Sequence, residues 1–326
     1  MKIKMKPLYA ALAMLILGAL LPLAIQNDYY MMVLNRVLIN IVVVLGLNFI
    51  TGLTGQMNLG TAGIFALGAY GSAMFVKYTN ITPWFGILVA IVIGILIGRG
   101  LGYPSLRIKG VYLSLTTIGF SEMVRLFISN TPELTGGTQG LRNIKPYNIG
   151  NFEFVTQRQM YYLFLAFVVI AFFIAWRITY SKWGRIFKSL RDNADAVEMS
   201  GVDVADCKIK AFTIAAIFGT VGGAMYVHYM GYINPSTFNL DLSTNYVMML
   251  MVGGLGSVVG TIFGAAIVTI LPEALRFLGN YYQIVFCAII LFGAIFFPDG
   301  WSAAFMAIVR KLSGRLKANA AAEGGE

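Results

Sequence analysis

The chain has 326 residues, of which 58% are hydrophobic and only 12% are charged. A soluble globular domain carries about 25% charged residues, so water cannot be the solvent for most of this surface. The formal net charge of +10 does not indicate a nucleic-acid partner. Basic residues instead gather in short segments between apolar runs, which is typical of membrane proteins oriented by positive charge.

Apolar runs recur from residue 8 to residue 310 and predict an all-α, polytopic transmembrane bundle of about 8–10 membrane segments. One crossing takes about 20 residues. The run 243–271 is too long for one simple crossing, and glycines interrupt it, so it is predicted to form two shorter helices. The expected segments are 8–25, 33–51, 59–76, 84–103, 111–128, 160–177, 211–231, 243–254, 258–271 and 281–297.

Most of the 24 Lys and Arg residues lie near 2–6, 99–109, 177–210 and 310–317. The positive-inside rule therefore predicts that these segments and both termini are cytoplasmic. The run 8–25 has no evident cleavage site after it and is expected to remain as a first span. The expected organisation is a transmembrane domain over 1–310, with an extracytoplasmic loop at 129–159 and a cytoplasmic loop at 178–210. A disordered cytoplasmic tail follows at 311–326.

The inner loop contains signals for a short helix over about 193–200. Asp192 can act as its N-cap, Asp195 places negative charge in the first turn, and Gly201 suits the position after the last turn. Two interpretations stay open, a solvated amphipathic linker and a cytoplasmic helix that docks in a partner.

Two glycine-rich stretches mark breaks in the apolar spans, 52–60 (GLTGQMNLG) and 253–257 (GGLGS). The glycines are either packing sites or irregular backbone that lines a pathway, and irregular backbone at membrane depth is tolerated where it is buried or faces water. The polar residues among them either cap helices or face a solute path. The candidate pathway residues are Gly52, Gly55, Gln56, Asn58, Thr116, Gly253, Gly254, Gly256 and Ser257.

Other polar groups are fewer. Glu122 and Arg125 stand three residues apart and can pair on one helix face. They are interpreted as a paired patch near a helix end or as part of a gate or docking surface. His228, the single histidine, is expected to pack among aromatic residues. Cys207 and Cys287 form no CxxC motif and indicate two packing thiols rather than a metal site.

No catalytic constellation is evident. Ser257 lacks a G-x-S-x-G context, and there is no HExxH zinc motif. The chain also lacks the G-x-x-x-x-G-K-[ST] phosphate-binding loop, so it is not expected to bind or hydrolyse ATP itself. The composition and these absences favour a transport subunit over an enzyme, and no cofactor or metal is expected in the chain. A self-contained secondary transporter is the alternative class, but few deep charges are present to couple ions.

Five stretches in order resemble the permeases of ABC-type branched-chain amino acid importers, of the LivM type. They span about 50–275 and comprise 52–60, 107–113 (RIKGVYL), 134–141 (LTGGTQGL), 184–201 (GRIFKSLRDNADAVEMSG) and 253–257. The outer LTGG stretch favours LivM over its LivH-type partner. A permease for urea or short amides is the nearest alternative, because that related family shares much of the pattern.

The resemblance implies an assembly in the bacterial cytoplasmic membrane that moves leucine, isoleucine or valine by alternating access. Its other members would be a second, LivH-type permease, two ATP-binding subunits that use ATP–Mg, and an extracytoplasmic solute-binding protein. The segment 185–201 matches the family's region that contacts an ATP-binding subunit. The coupling candidates that follow are Arg185, Arg191, Asp192, Asp195, Glu198 and Gly201.

Overall fold

A computed structural model of the protein describes residues 18, 21–22, 27–108, 110–150, 152–296 and 300–301. These residues are largely α-helical, which confirms the predicted all-α, polytopic membrane fold. Most of the predicted span 8–25, the whole tail 311–326 and both termini lie outside the described residues. Five described helices are long and apolar enough to cross a membrane: Asp28–Leu53, Pro83–Leu106, Val111–Ser129, Gln157–Thr179 and Val204–Met230.

Helix α1, Asp28–Leu47, is capped by Asn27, whose side chain accepts a hydrogen bond from the amide of Tyr29. It continues directly into a π-helical turn, Asn48–Leu53, whose residues are all buried. Such π-helical turns are rare in proteins, and those that occur often lie at functional sites. The span predicted at 33–51 is confirmed, and the π turn at its end is a feature that hydropathy did not indicate.

Three more helices follow in the predicted places; two are one residue longer than expected from hydropathy, and the second of the three is five residues longer. They are α2 (Thr61–Thr79), α3 (Pro83–Arg107) and α4 (Val111–Ser129). Pro83 stands in the first turn of α3, where the amide that proline lacks has no intrahelical partner in any case.

The connection between α4 and α5 contains little regular structure. One helical turn, Pro132–Thr135, and a 3₁₀ turn, Gly137–Gln139, precede a two-stranded antiparallel ribbon of β1 (Asn148–Ile149) and β2 (Phe152–Glu153). Tyr147 anchors the connection, because its fully buried hydroxyl donates to the carbonyl of Ala224 at 3.2 Å. Burial also raises the pKa of Tyr147, so this side chain stays neutral.

Helix α5, Gln157–Thr179, starts at a capping box between Thr156 and Gln159. Two shorter helices then follow, α6 (Lys182–Asp192) and α7 (Ala194–Met199). The predicted short helix is confirmed as α7, with Asp195 in its first turn.

The prediction that Asp192 caps this helix is wrong. Asp192 is the last residue of α6 and therefore has helical backbone angles. The extended backbone that an N-cap requires falls instead on Asn193, whose side chain accepts from the amide of Ala196 at 3.1 Å. Gly201 follows α7 with a φ of +76°, which confirms the predicted left-handed position after the helix.

The remaining α-helices are α8 (Val204–Met230), α9 (Leu240–Gly253), α10 (Val258–Ala274) and α11 (Tyr282–Phe296). Two 3₁₀ helices, Pro235–Thr237 and Arg276–Tyr281, precede α9 and α11. The predicted division of 243–271 into two short helices is confirmed. Helices α9 and α10 pack against each other, and both contact α1.

Helix α8 lies at the centre and packs against α1, α2 and α3. In the apolar 18-residue stretch of α8, 72% of the residues are buried, whereas the share is 33% in the corresponding stretches of α3 and α4. Helices α3 and α4 therefore each expose one face. Small residues bring the helices together: a Cβ at Gly68 of α2 would lie 2.1 Å from the backbone oxygen of Thr220 in α8. Similar close approaches occur at Gly60, Gly63 and Gly71. Gly60, Gly63, Gly68 and Gly71 are therefore packing positions.

Candidate pathway and coupling site

The two glycine-rich breaks lie against each other, although about 200 residues separate them in the sequence. The side-chain oxygen Oδ1 of Asn48, in the π turn, accepts a hydrogen bond from the amide of Gly256 at 2.9 Å. A Cβ at Gly52 would lie 2.0 Å from that same oxygen and 2.7 Å from the Gly256 nitrogen. Any larger residue at position 52 would therefore displace this contact.

Three glycines and a serine shape the second break, 253–257, between α9 and α10. Gly253 packs α9 on α10, since a Cβ there would lie 2.3 Å from the carbonyl oxygen of Gly260. Gly254 and Gly256 adopt φ angles of +98° and +81°, which only glycine reaches without strain. The hydroxyl of Ser257 accepts from the amide of Gly260 at 3.0 Å and so caps α10. Ser257 therefore has a structural partner at the point where α10 begins.

Arg191, the next-to-last residue of α6, reaches the first break. Its Nη1 donates to the carbonyl of Gly52 at 2.9 Å. Its aliphatic stem covers Gly55, where a Cβ would lie 2.9 Å from the Arg191 Cγ. The connection between α5 and α8 and the two breaks thus form one continuous contact, from α6 through the π turn to the turn before α10.

Helix α6 is held in place by its apolar side. Phe187 and Leu190 are buried, and Gly184 allows α6 to approach the carbonyl oxygen of Thr179. From α8, the Nζ of Lys210 lies 4.1 Å from the ring centroid of Trp183, a cation–π contact. Because of these contacts, a movement of α6 would displace α8 as well as the π turn.

The other coupling candidates face outward. The exposed members are Arg185, Asp192, Asp195, Glu198 and Gly201. A Cβ at Gly201 would have nothing within 4 Å. Of the six coupling candidates, Arg191 is the one with a described contact to the breaks, and the rest form an open, charged surface on α6 and α7.

Gln56 and Asn58 both lie in the segment between the π turn and α2. Asn58 is buried, and its Oδ1 accepts from the amide of Gly60 at 2.8 Å, which is a capping role. Gln56 is half-buried, and among the described residues its Oε1 has no hydrogen-bond partner. Gln56 thus has unused hydrogen-bonding capacity at its side-chain carbonyl oxygen.

Thr116 is exposed on α4 and donates to the carbonyl of Tyr112 in its own helix. Its neighbour Thr117 faces the break instead, where its hydroxyl accepts from the amide of Leu59 at 3.1 Å. Thr116 therefore belongs to a different surface from the glycine breaks, the open face of α4.

Asn48 and Thr117 are site residues that the sequence-based candidates omit. Asn48 carried a recognisable signal, because a polar residue inside an apolar span is costly unless it has a partner or a function. Thr117 had no comparable signal, since it stands among several Ser and Thr residues on the same helix.

His228 lies away from this site, near the end of α8. Its Nδ1 is 2.8 Å from the carbonyl of Lys145, so this nitrogen carries the proton, and its Nε2 accepts from the hydroxyl of Ser72 at 2.9 Å. The ring centroid is 5.1 Å from that of Tyr147. The expected aromatic packing of His228 is confirmed. Within the described residues no group of three or more His, Cys, Asp or Glu is placed to hold a metal ion, and both cysteines are free.

Residues 29–294 match the family described as "Branched-chain amino acid transport system / permease component". The chain is 29% identical over 286 residues to the high-affinity branched-chain amino acid permease LivM of Escherichia coli K12, covering 81% of this chain and 67% of that protein. The LivM protein of Salmonella typhimurium LT2 is 28% identical with the same coverage.

A probable LivM permease of Methanocaldococcus jannaschii is 27% identical over 64% of this chain and 63% of that protein. No solved structure matches. The family match covers far more than half of the 326 residues, and the helices that it covers build the multi-pass membrane fold described above. The chain belongs to the family of branched-chain amino acid transport permeases.

Proposed function

We propose that this chain is the permease subunit of an ATP-binding-cassette importer that carries leucine, isoleucine and valine across the bacterial cytoplasmic membrane. The relatives named LivM support the substrate class. The observation that carries the mechanism is the hydrogen bond from Arg191 to Gly52, because it joins an exposed charged helix to a break in a membrane span.

In this proposal α6 and α7 receive the movement of an ATP-binding subunit. The exposed residues Arg185, Asp192, Asp195, Glu198 and Gly201 form the contact surface, and Arg191 passes the movement to the π turn. The segment 52–58 and the turn 253–257 then shift together, because Asn48 binds the amide of Gly256. Two packed elements with two discrete arrangements are what alternating access requires.

The chain requires partners for this work. The chain contains no phosphate-binding loop, so ATP–Mg binding and hydrolysis belong to two ATP-binding subunits. A second permease of the LivH type completes the pathway, and an extracytoplasmic solute-binding protein delivers the amino acid. The connection 130–156 lies on the side that would receive that protein.

The test is uptake of radiolabelled leucine into proteoliposomes that contain the full importer, with ATP inside and the binding protein outside. The proposal predicts ATP-dependent uptake in which unlabelled isoleucine and valine compete and urea does not. Uptake of urea without leucine, or leucine uptake that is indifferent to ATP, would reject it.

A further inference from the structure

The open face of α4 carries two charges, Glu122 and Arg125. The 19 residues of α4 extend over about 28 Å at 1.5 Å per residue, close to the roughly 30 Å thickness of a hydrocarbon core. An α4 that spans the membrane would therefore place Glu122, seven residues before its end at Ser129, about 10 Å inside the core. Charged side chains at this depth are costly against lipid and normally face a bundle interior or a water-filled cavity.

The pair is organised and accessible. The Nε of Arg125 donates to Oε2 of Glu122 at 2.9 Å, and its Nη2 donates to Oε1 of the same carboxylate. The side chains remain 30% and 46% exposed for Arg125 and Glu122. Among the hydrogen bonds of the described residues none uses Nη1 of Arg125, so this donor pair is available to a ligand.

Beside the pair lies a shallow, open apolar groove whose lining residues all belong to α4 or to the two residues after it, among them Gly119, Met123, Leu126 and Phe127. A Cβ at Gly119 would have no neighbour within 4 Å, so the groove is open at this point rather than filled by another described helix. The opposite face of α4, with Thr117 and Ser121, packs on α2.

We propose that Glu122, Arg125 and this groove form a binding site for the zwitterionic head and aliphatic side chain of an amino acid on its way through the permease. The Glu122 carboxylate takes the α-ammonium group, and Nη1 of Arg125 takes the α-carboxylate. The two ligand charges are adjacent and opposite in sign, as are the two protein charges. Gly119 and Met123 lie beside the aliphatic side chain. This inference rests on the proposed function of the chain as an amino acid permease.

The first experiment compares two Glu→Gln variants of the complete importer in proteoliposomes. Glu122→Gln removes the charge for the ammonium group. Glu273→Gln is the matched control, because Glu273 forms the same i,i+3 pair with Arg276 at the end of α10, outside the groove. We expect leucine uptake about ten- to a hundredfold slower for Glu122→Gln, the range for one hydrogen bond to a charged group, and near wild type for Glu273→Gln.

Wild-type importer that carries no branched-chain amino acid would reject the proposed function. Wild-type importer that carries leucine, with Glu122→Gln as fast as Glu273→Gln, would overturn only the present inference. If the Glu122→Gln variant fails to assemble, leucine uptake is compared instead between Glu273→Gln and a second variant, Gly119→Leu. This variant fills the groove at a point where the structure offers space.

The second measurement is labelling of Met123→Cys by a membrane-impermeant methanethiosulfonate, with Cys287 replaced by Ser because Cys287 is exposed. The inference predicts labelling that the leucine-loaded binding protein slows during ATP turnover. Complete protection in every state would show that this face is covered by the second permease or by lipid, and would overturn the inference.

Discussion

Replacement of Arg191 by Met keeps the stem that covers Gly55 and removes the hydrogen bond from Nη1 to the carbonyl of Gly52, 2.9 Å long. A hydrogen bond from a charged donor contributes about 1.5–3 kcal/mol, and the exposed position of Arg191 places it near the lower end. At 1.4 kcal/mol for each factor of ten, a loss of about 1.5 kcal/mol weakens the link between α6 and the π turn about tenfold.

The assay measures leucine uptake and ATP hydrolysis together in proteoliposomes that contain the complete importer. We expect Arg191→Met to consume about ten times more ATP for each leucine carried, since hydrolysis continues while the π turn no longer follows α6. Lys188→Met is the matched control, because Lys188 lies one turn earlier on the same exposed helix and its Nζ is 6.0 Å from the Tyr180 ring centroid. Equal ratios of ATP to leucine for Arg191→Met, Lys188→Met and wild type would refute the reasoning.

Three further variants test other parts of the structure. Gly68→Ala places a Cβ 2.1 Å from a backbone oxygen and is expected to lower the free energy of unfolding by about 1–3 kcal/mol. In the control variant Gly119→Ala, the new Cβ meets nothing within 4 Å. Thermal unfolding in detergent compares the two variants, and equal midpoints would contradict the packing described here. Asn48→Leu leaves the amide of Gly256 without its acceptor and is expected to reduce both stability and uptake, while Asn40→Leu, which loses a bond to Thr269 instead, reduces stability alone. Gly201→Leu places a side chain at a φ of +76°, which costs about 1–2 kcal/mol of backbone strain without a steric clash. We therefore expect more ATP to be used for each leucine carried, with an unchanged yield of assembled importer. A ratio of ATP to leucine equal to that of the wild type would remove Gly201 from the coupling surface.

The membrane helices were predictable because each span imposes a long apolar run, and a run of this kind is visible in any single chain. The break at 253–257 was predictable for a related reason. Its glycines interrupt a run that was otherwise too long for one crossing, and the structure ends α9 at Gly253 and starts α10 at Val258.

The contacts at the site depend on tertiary structure and left weaker traces in the sequence. The bond between Asn48 and Gly256 joins positions 208 residues apart, and neither residue specifies the other. Thr116 and Thr117 differ by one step of 100° around α4, which decides that Thr117 meets Leu59 and Thr116 faces outward. Helix α6 was missed because its polar composition resembled a solvated linker, and Asp192 was then assigned to the wrong helix end.

The most direct test of the central claim is a cross-linking measurement on the assembled importer in a Cys287→Ser background. Glu198→Cys places a thiol on the exposed surface of α7, and Glu153→Cys places one on the exposed ribbon between α4 and α5 as the control. The account predicts that Glu198→Cys cross-links to an ATP-binding subunit, with a yield that changes on ATP addition, and that Glu153→Cys does not. A cross-link from Glu153→Cys to the ATP-binding subunit, or none from Glu198→Cys in any nucleotide state, would contradict it.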